Sequence, residues 1–265
     1  MCLILFAHHA HRDYPLIMAA NRDEAFARPA APAAFWPDEP GIFAGRDLKQ
    51  GGTWLGLTRT GRVAAVTNYR DPTAPRSSPL SRGALVRDFL AGEVPPERYL
   101  HDVNARADQY NGFILIAGDI GRLYWLSNRG PGVQPVDAGV HGLSNHLLDT
   151  PWPKIQRARQ ILSTLLGADE AELRSKLFEV LADRAPAPDH ELPDTGVGLQ
   201  RERELSPVFV SGDRYGTRAS TLLLVHRDGR VLFVERSFGP EGAPLGEVEQ
   251  RFELHLPTAI AAAQR

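Results

Sequence analysis

Two runs, Phe113-Ile114-Leu115-Ile116 and Leu222-Leu223-Leu224-Val225, are apolar at every position. Side chains alternate between the two faces of a strand, so a strand built from either run is apolar on both faces and needs cover on both. A parallel doubly wound sheet supplies that cover through regular strand–helix alternation, and this chain has none. Strand-like segments at 2–8, 16–20, 51–58 and 62–68 come first, followed by helical spacing at 82–90 and 97–107. Strands at 112–117 and 123–127 then precede a second helix pair at 152–166 and 169–181. The last strands are expected at 207–210, 217–226, 231–237 and 247–254, with Asp228-Gly229 as a tight turn. Two sheets stacked face to face, with the helices outside, satisfy this order. The proline-rich stretch 28–40 cannot be regular helix and is expected to wrap the surface. Residues 186–204 form a polar, proline-containing excursion that reads as a flap. No repeat or linker divides the chain, so residues 1–265 read as one domain.

The formal net charge is −2, which leaves no electrostatic footprint for nucleic acid. The single cysteine excludes an internal disulfide and a multi-cysteine zinc site, and it fits a reducing compartment. No run approaches the roughly 18 apolar residues of a membrane span. A cytoplasmic protein is expected, with a small-molecule ligand and no cofactor. His8, His9 and His11 lack the carboxylate–histidine spacing of a metal site. Gly51-Gly52 and Gly130-Pro131-Gly132 lack the lysine and Ser/Thr of a phosphate-binding loop.

That cysteine is Cys2, which opens the apolar run Cys2-Leu3-Ile4-Leu5-Phe6. Removal of Met1 would leave a thiol and a free α-amine on one residue. With ordinary pKa values of about 8.5 and 7.7–8.0, the pair can act as nucleophile and base near neutral pH. A lone cysteine in an apolar strand also reads as a small buried hydrophobe. Asn21-Arg22-Asp23-Glu24 is expected to end the second strand. An arginine near a thiol favours the thiolate, and an aspartate near an ammonium orients it. Asn68 and Asn145 each end an apolar strand-like segment, where a side-chain amide can donate to a developing oxyanion. Arg218 opens a strongly apolar strand, where a charge is costly without a partner.

Together, Met1-Cys2-Leu3, Asn21-Arg22-Asp23-Glu24, Gly52-Thr53-Trp54-Leu55-Gly56, Val66-Thr67-Asn68-Tyr69-Arg70, Gly142-Leu143-Ser144-Asn145, Asp149-Thr150-Pro151-Trp152-Pro153-Lys154 and Gly216-Thr217-Arg218-Ala219-Ser220-Thr221 resemble the NRDE, or Transport and Golgi organisation 2, family. The matches run in order from residue 1 to about residue 235. That family is similar to the cysteine branch of the N-terminal nucleophile (Ntn) hydrolases. The resemblance implies an α+β, four-layer αββα sandwich of two stacked, mainly antiparallel sheets. It also implies that Cys2 attacks a substrate carbonyl while its own amine serves as base and then as acid. Arg22 and Asp23 match a conserved-type arginine and aspartate beside the nucleophile, and which of them contacts the thiol stays open. Asn68 and Asn145 match two strand-end amides, Asn145 being the better oxyanion donor, and Arg218 matches a late active-site arginine. The implied activity is hydrolysis of a linear, non-peptide amide. The alternative is a non-enzymatic carrier of a hydrophobic acyl or haem-like ligand in the same pocket. Loops 28–40, 70–81 and 186–204 are expected to shape that pocket.

Overall fold

The computed structural model describes residues 2–73 and 80–255. Met1, residues 74–79 in the 70–81 loop and residues 256–265 lie outside the described residues. In chain order the first elements are β1 (Cys2–His8), β2 (Leu16–Ala25), β3 (Ala30–Phe35), β4 (Ile42–Asp47), β5 (Leu55–Thr58), β6 (Arg62–Asn68), α1 (Arg82–Ala91), α2 (Pro96–Asn104), β7 (Phe113–Asp119) and β8 (Arg122–Ser127). After them come β9 (Gln134–Pro135), β10 (Gly139–Leu143), α3 (Pro153–Thr164), α4 (Glu170–Leu181), α5 (Leu199–Leu205), β11 (Tyr215–Val225), β12 (Arg230–Phe238) and β13 (Pro244–Glu253).

The strands form two antiparallel sheets, one in the order β10-β1-β2-β11-β12-β13 and the other running β3 to β9 in sequence order. Strand alternation sorts the side chains into three cores. Leu3, Leu5 and Ala7 of β1 pack against Ile155, Leu162, Leu173 and Leu177 of α3 and α4. Ile4 and Phe6, from the same strand, turn the other way and meet Phe43, Leu57, Ile114 and Ile116 between the sheets. The outer face of the second sheet, through Leu115 and Ala117, is covered by Leu85, Phe89, Leu100 and Val103 of α1 and α2. Each of the leucine, isoleucine, valine and phenylalanine side chains contributes about 1.5–3 kcal/mol on full burial. The architecture is the expected α+β, four-layer αββα sandwich. Among the described residues, no helix is long and apolar enough to cross a membrane.

Several local expectations are corrected. β2 runs on to Ala25, so Asn21-Arg22-Asp23-Glu24 lies within the strand instead of ending it. The polar residues stay in the ladder because other parts of the chain satisfy them. Asn21 Nδ2 donates to the Leu181 and Val208 carbonyls, and its Oδ1 accepts from the Ser220 hydroxyl. The proline-rich stretch contains the edge strand β3, whose register shifts between Ala31 and Ala34, around Pro32. An edge position with such an irregularity is where a strand tolerates proline. Residues 207–210 are not a strand. The 186–204 excursion ends in α5, which is pinned by a buried ion pair from Glu202 to Arg70 and by the Lys154 ammonium, which donates to the Leu205 carbonyl.

Candidate active site

Pairing places Cys2 opposite Arg22, Arg22 opposite Ala219, Ala219 opposite Ser237 and Ser237 opposite Gly246. This row crosses five strands of the first sheet, and all five residues line one cleft of about 570 Å³ between the sheets. Gly45, Trp54, Val66 and Asn68 of the second sheet and its connections form the facing wall. Cys2 stands at one end of the row. Its carbonyl accepts from Ser144 Oγ at 3.0 Å, and the Ser144 carbonyl in turn accepts from Thr67 Oγ1 at 2.7 Å. The first residue of β1 is thereby fastened to the neighbouring strand ends.

Burial pushes the Cys2 thiol above its ordinary range, and the Asp23 charge acts in the same direction. A backbone hydrogen bond from Asp23 and the Arg22 charge oppose that rise. The thiol therefore needs a base to become a good nucleophile. Asp23 is itself raised by burial, and Lys154, Thr217 and Arg22 favour its ionised form. Thr217 Oγ1 donates to Asp23 Oδ1 at 2.7 Å while accepting the Val210 N–H at 2.9 Å, so its hydroxyl proton is directed at the carboxylate. Lys154 is buried to 2% exposure on α3, and burial lowers it to about 8.

Arg218 occupies a bulge. Thr217 pairs with Asp23 and Ala219 with Arg22, so Arg218 is the extra residue. A bulge re-aims a side chain, and this one lines the cleft while donating to the Ala25 and Arg28 carbonyls. Arg82, not singled out in the sequence, also lines the cleft, and its Nη1 donates to the Gly112 carbonyl at 2.9 Å. Its place is set by a close approach of α1 to the loop before β5. A Cβ on Gly52 would lie 2.5 Å from the Gly83 carbonyl group. Among the described residues, neither Arg82 nor Arg218 has a carboxylate within ion-pair distance. Arg28, by contrast, is paired with Asp47 at 2.5 Å, and Arg70 with Glu202.

The cleft thus gathers Cys2, Arg22, Asp23, Asn68 and Arg218. Asn145 is buried and is not among the lining residues; its Nδ2 donates to the Asn68 carbonyl at 2.8 Å. Residues 186–204 do not line the cleft either, whereas Arg28 and Ala30–Pro32 do. Sequence reasoning missed Ser144, Thr217, Arg82 and Glu235. Ser144 and Thr217 each sit one position from a chosen residue inside a quoted motif. Glu235 is a lone carboxylate in an apolar strand, the same signal that drew attention to Arg218. His8, His9 and His11 face the carbonyls of Asp137, Gly121 and Ala168, three separate places.

Comparison with known proteins agrees with this architecture. A family model described as Transport and Golgi organisation 2 matches residues 1–240. The Transport and Golgi organization protein 2 homologs of Bos taurus and Homo sapiens are each 37% identical over 257 residues, covering 89% of this chain and 93% of theirs. Among solved structures, a mutant C2A conjugated bile acid hydrolase from Clostridium perfringens superposes with a TM-score of 0.52 at 8% identity, over 96% of this chain and 92% of its own. A Caenorhabditis elegans N-acylethanolamine-hydrolyzing acid amidase ortholog gives 0.50 at 14% identity, over 84% and 92%. The fold is that of the Ntn hydrolases. On family model and identity alike, the chain belongs to the Transport and Golgi organisation 2 family.

Proposed function

We propose that the cleft is the active site of a cysteine Ntn amidohydrolase that cleaves a linear, non-peptide C–N bond through a Cys2 acyl-enzyme. The observation that carries this reading is the position of Cys2. The thiol stands at the start of β1 at one end of a row of paired residues in the cleft, beside Arg22 and Asp23. Once Met1 is removed, the Cys2 amine takes the thiol proton as the sulfur adds to the amide carbonyl. The same amine returns the proton to the departing nitrogen, leaving a thioester. Water then adds, with the amine again as base, and releases the acid and the free thiol. Because nucleophile and base share one residue, little entropy is lost in aligning them. Asp23, whose ionised form Lys154 and Thr217 favour against burial, orients the ammonium. We assign the oxyanion donor to the Asn68 side chain, with Asn145 steadying the Asn68 backbone. The C2A bile acid hydrolase and the acid amidase, which share the fold, support the reaction class. A cytoplasmic setting suits a free thiol here.

Arg82 and Arg218 favour an amide with an acidic group near the scissile bond. A desolvated guanidinium without a carboxylate partner is costly, and a ligand anion relieves that cost. The test is hydrolysis of acyl amides, with and without a carboxylate on the amine side, by parent protein and by Cys2→Ala. Turnover lost in Cys2→Ala supports the reading, and equal rates reject it. One observation favours the carrier alternative, namely that Asn145 does not line the cleft. A carrier binds ligand stoichiometrically, releases it unchanged and is indifferent to Met1.

A further inference from the structure

We propose that Glu235 is a specificity-determining residue that receives a neutral hydrogen-bonding group, a hydroxyl, at the far end of the ligand's acyl chain. This inference rests on the acyl-binding reading of the cleft.

Glu235 lies on the inter-sheet face of β12, only 4% exposed, and lines the same cleft as Cys2. The interior of an apolar strand is an expensive place for a carboxyl group unless both its oxygens are used. One oxygen is used. Oε1 accepts the Ala33 N–H at 2.8 Å, reaching across to the register shift in β3 of the opposite sheet. Among the described residues no N–H or O–H lies in hydrogen-bond geometry to Oε2, and the buried hydroxyl beside the carboxyl, that of cross-strand Thr221, favours its ionised form without meeting that geometry. The wall opposite is cleared for Oε2, because a Cβ on Gly45 would stand 3.3 Å from it.

Position and charge narrow the ligand group. Cys2 is on β1 and Glu235 on β12, three strands away in the sheet. Three steps of 4.7–4.9 Å, with Glu235 two residues along β12 from Ser237 in the Cys2 row, put the two about 16 Å apart, so a group reaching Glu235 belongs to the distal end of an extended acyl chain. Ala219 and Trp54 line the way. A cationic terminus is disfavoured by the neighbouring Arg22 guanidinium, which acts electrostatically on Glu235. Burial raises the Glu235 carboxyl while the Ala33 N–H, the Arg22 charge and Thr221 oppose the rise, and a hydroxyl can both donate to the carboxylate and accept from the acid form. A bare methyl would leave Oε2 unpaired.

The experiment measures calorimetric affinity of lauric acid and its ω-hydroxy, ω-amino and ω-carboxy derivatives for Cys2→Ala protein, which needs no turnover. ω-Hydroxylaurate is expected to bind at least tenfold more tightly than laurate. Added Glu235→Gln should keep that ratio, and Glu235→Met should abolish it. Gly45→Ala, which crowds Oε2 and leaves the Ala33 bond in place, should reduce the ratio several-fold and covers the case of Glu235→Met failing to fold. Equal affinities, a preference for the amino or carboxy derivative, or a ratio unmoved by Gly45→Ala would each overturn the inference. If none of the acids binds, it falls as well, while loss of hydrolysis in Cys2→Ala would still uphold the amidase reading on its own.

Discussion

Asn21→Ala should destabilise the protein more than a typical substitution. Asn21 is fully buried on β2. Its Nδ2 donates at 2.8 Å to the carbonyl of Leu181, the last residue of α4, and at 3.0 Å to that of Val208. Its Oδ1 accepts from Ser220 Oγ at 2.6 Å. Alanine leaves two buried carbonyls without this donor and a buried hydroxyl without this acceptor. At about 1 kcal/mol per net bond, with about 1–3 kcal/mol for a buried group left unsatisfied, the loss comes to about 3–5 kcal/mol. For a chain of this size that corresponds to a fall of roughly 10 °C in Tm, at about 2–4 °C per kcal/mol. Ser220→Ala deletes only one of the three bonds and should cost about 1 kcal/mol. Urea unfolding followed by circular dichroism measures both. An Asn21→Ala loss under 1 kcal/mol would refute the reasoning that Asn21 fastens β2 to the helix layer while Arg22 and Asp23 serve the cleft.

Three further outcomes follow from the same geometry. Glu202→Gln or Arg70→Met, each breaking a buried ion pair, should cost about 3–5 kcal/mol in urea unfolding, whereas replacing both with apolar residues should recover most of the loss. Burial lowers His8 to about 4. Above its ordinary 6.5 neither state is charged; as pH falls from 6.5 towards 4, only the unfolded chain gains the proton. The His8 contribution falls across that window by up to about 3 kcal/mol, and the drop should shrink by that amount in His8→Leu when the two proteins are titrated side by side, with His11 and His146, also lowered by burial, supplying what remains. Asn68→Ala should lower kcat by about 2.7–4 kcal/mol in activation with little change in Tm, while Asn145→Ala should lower Tm as well; equal kcat in parent and Asn68→Ala would remove Asn68 as the oxyanion donor.

The doubly apolar runs at 113–116 and 222–225 were enough to require two covered sheets, because alternation leaves no other place for both faces. Cys2 and Arg218 were also legible, one from its position and the other as a charge in an apolar strand. What could not be read depends on partners distant in sequence. Asn21-Arg22-Asp23-Glu24 reads locally as a strand end, yet Asn21 is satisfied by groups 160, 187 and 199 residues away. Pro32 suggests a wrapping coil, and only the edge position of β3 makes it a strand. Asn145 reads as a donor to the cleft because its strand-end setting is like that of Asn68, but it does not line the cleft, and one of its amide N–H groups is given to the Asn68 carbonyl. Arg82 sits at a helix start with no local sign that Gly52 and Gly83 bring it to Cys2's cleft.

The central claim is that Cys2, with its own amine freed, forms the acyl-enzyme. The direct measurement is mass spectrometry of the amino-terminal peptide from protein purified from its own host, acid-quenched during turnover of an acyl amide. The account predicts a peptide beginning at Cys2 and carrying the acyl mass on sulfur. A peptide that retains Met1 in every molecule, or one that begins at Cys2 and never carries the acyl group while the amide is consumed, would contradict it.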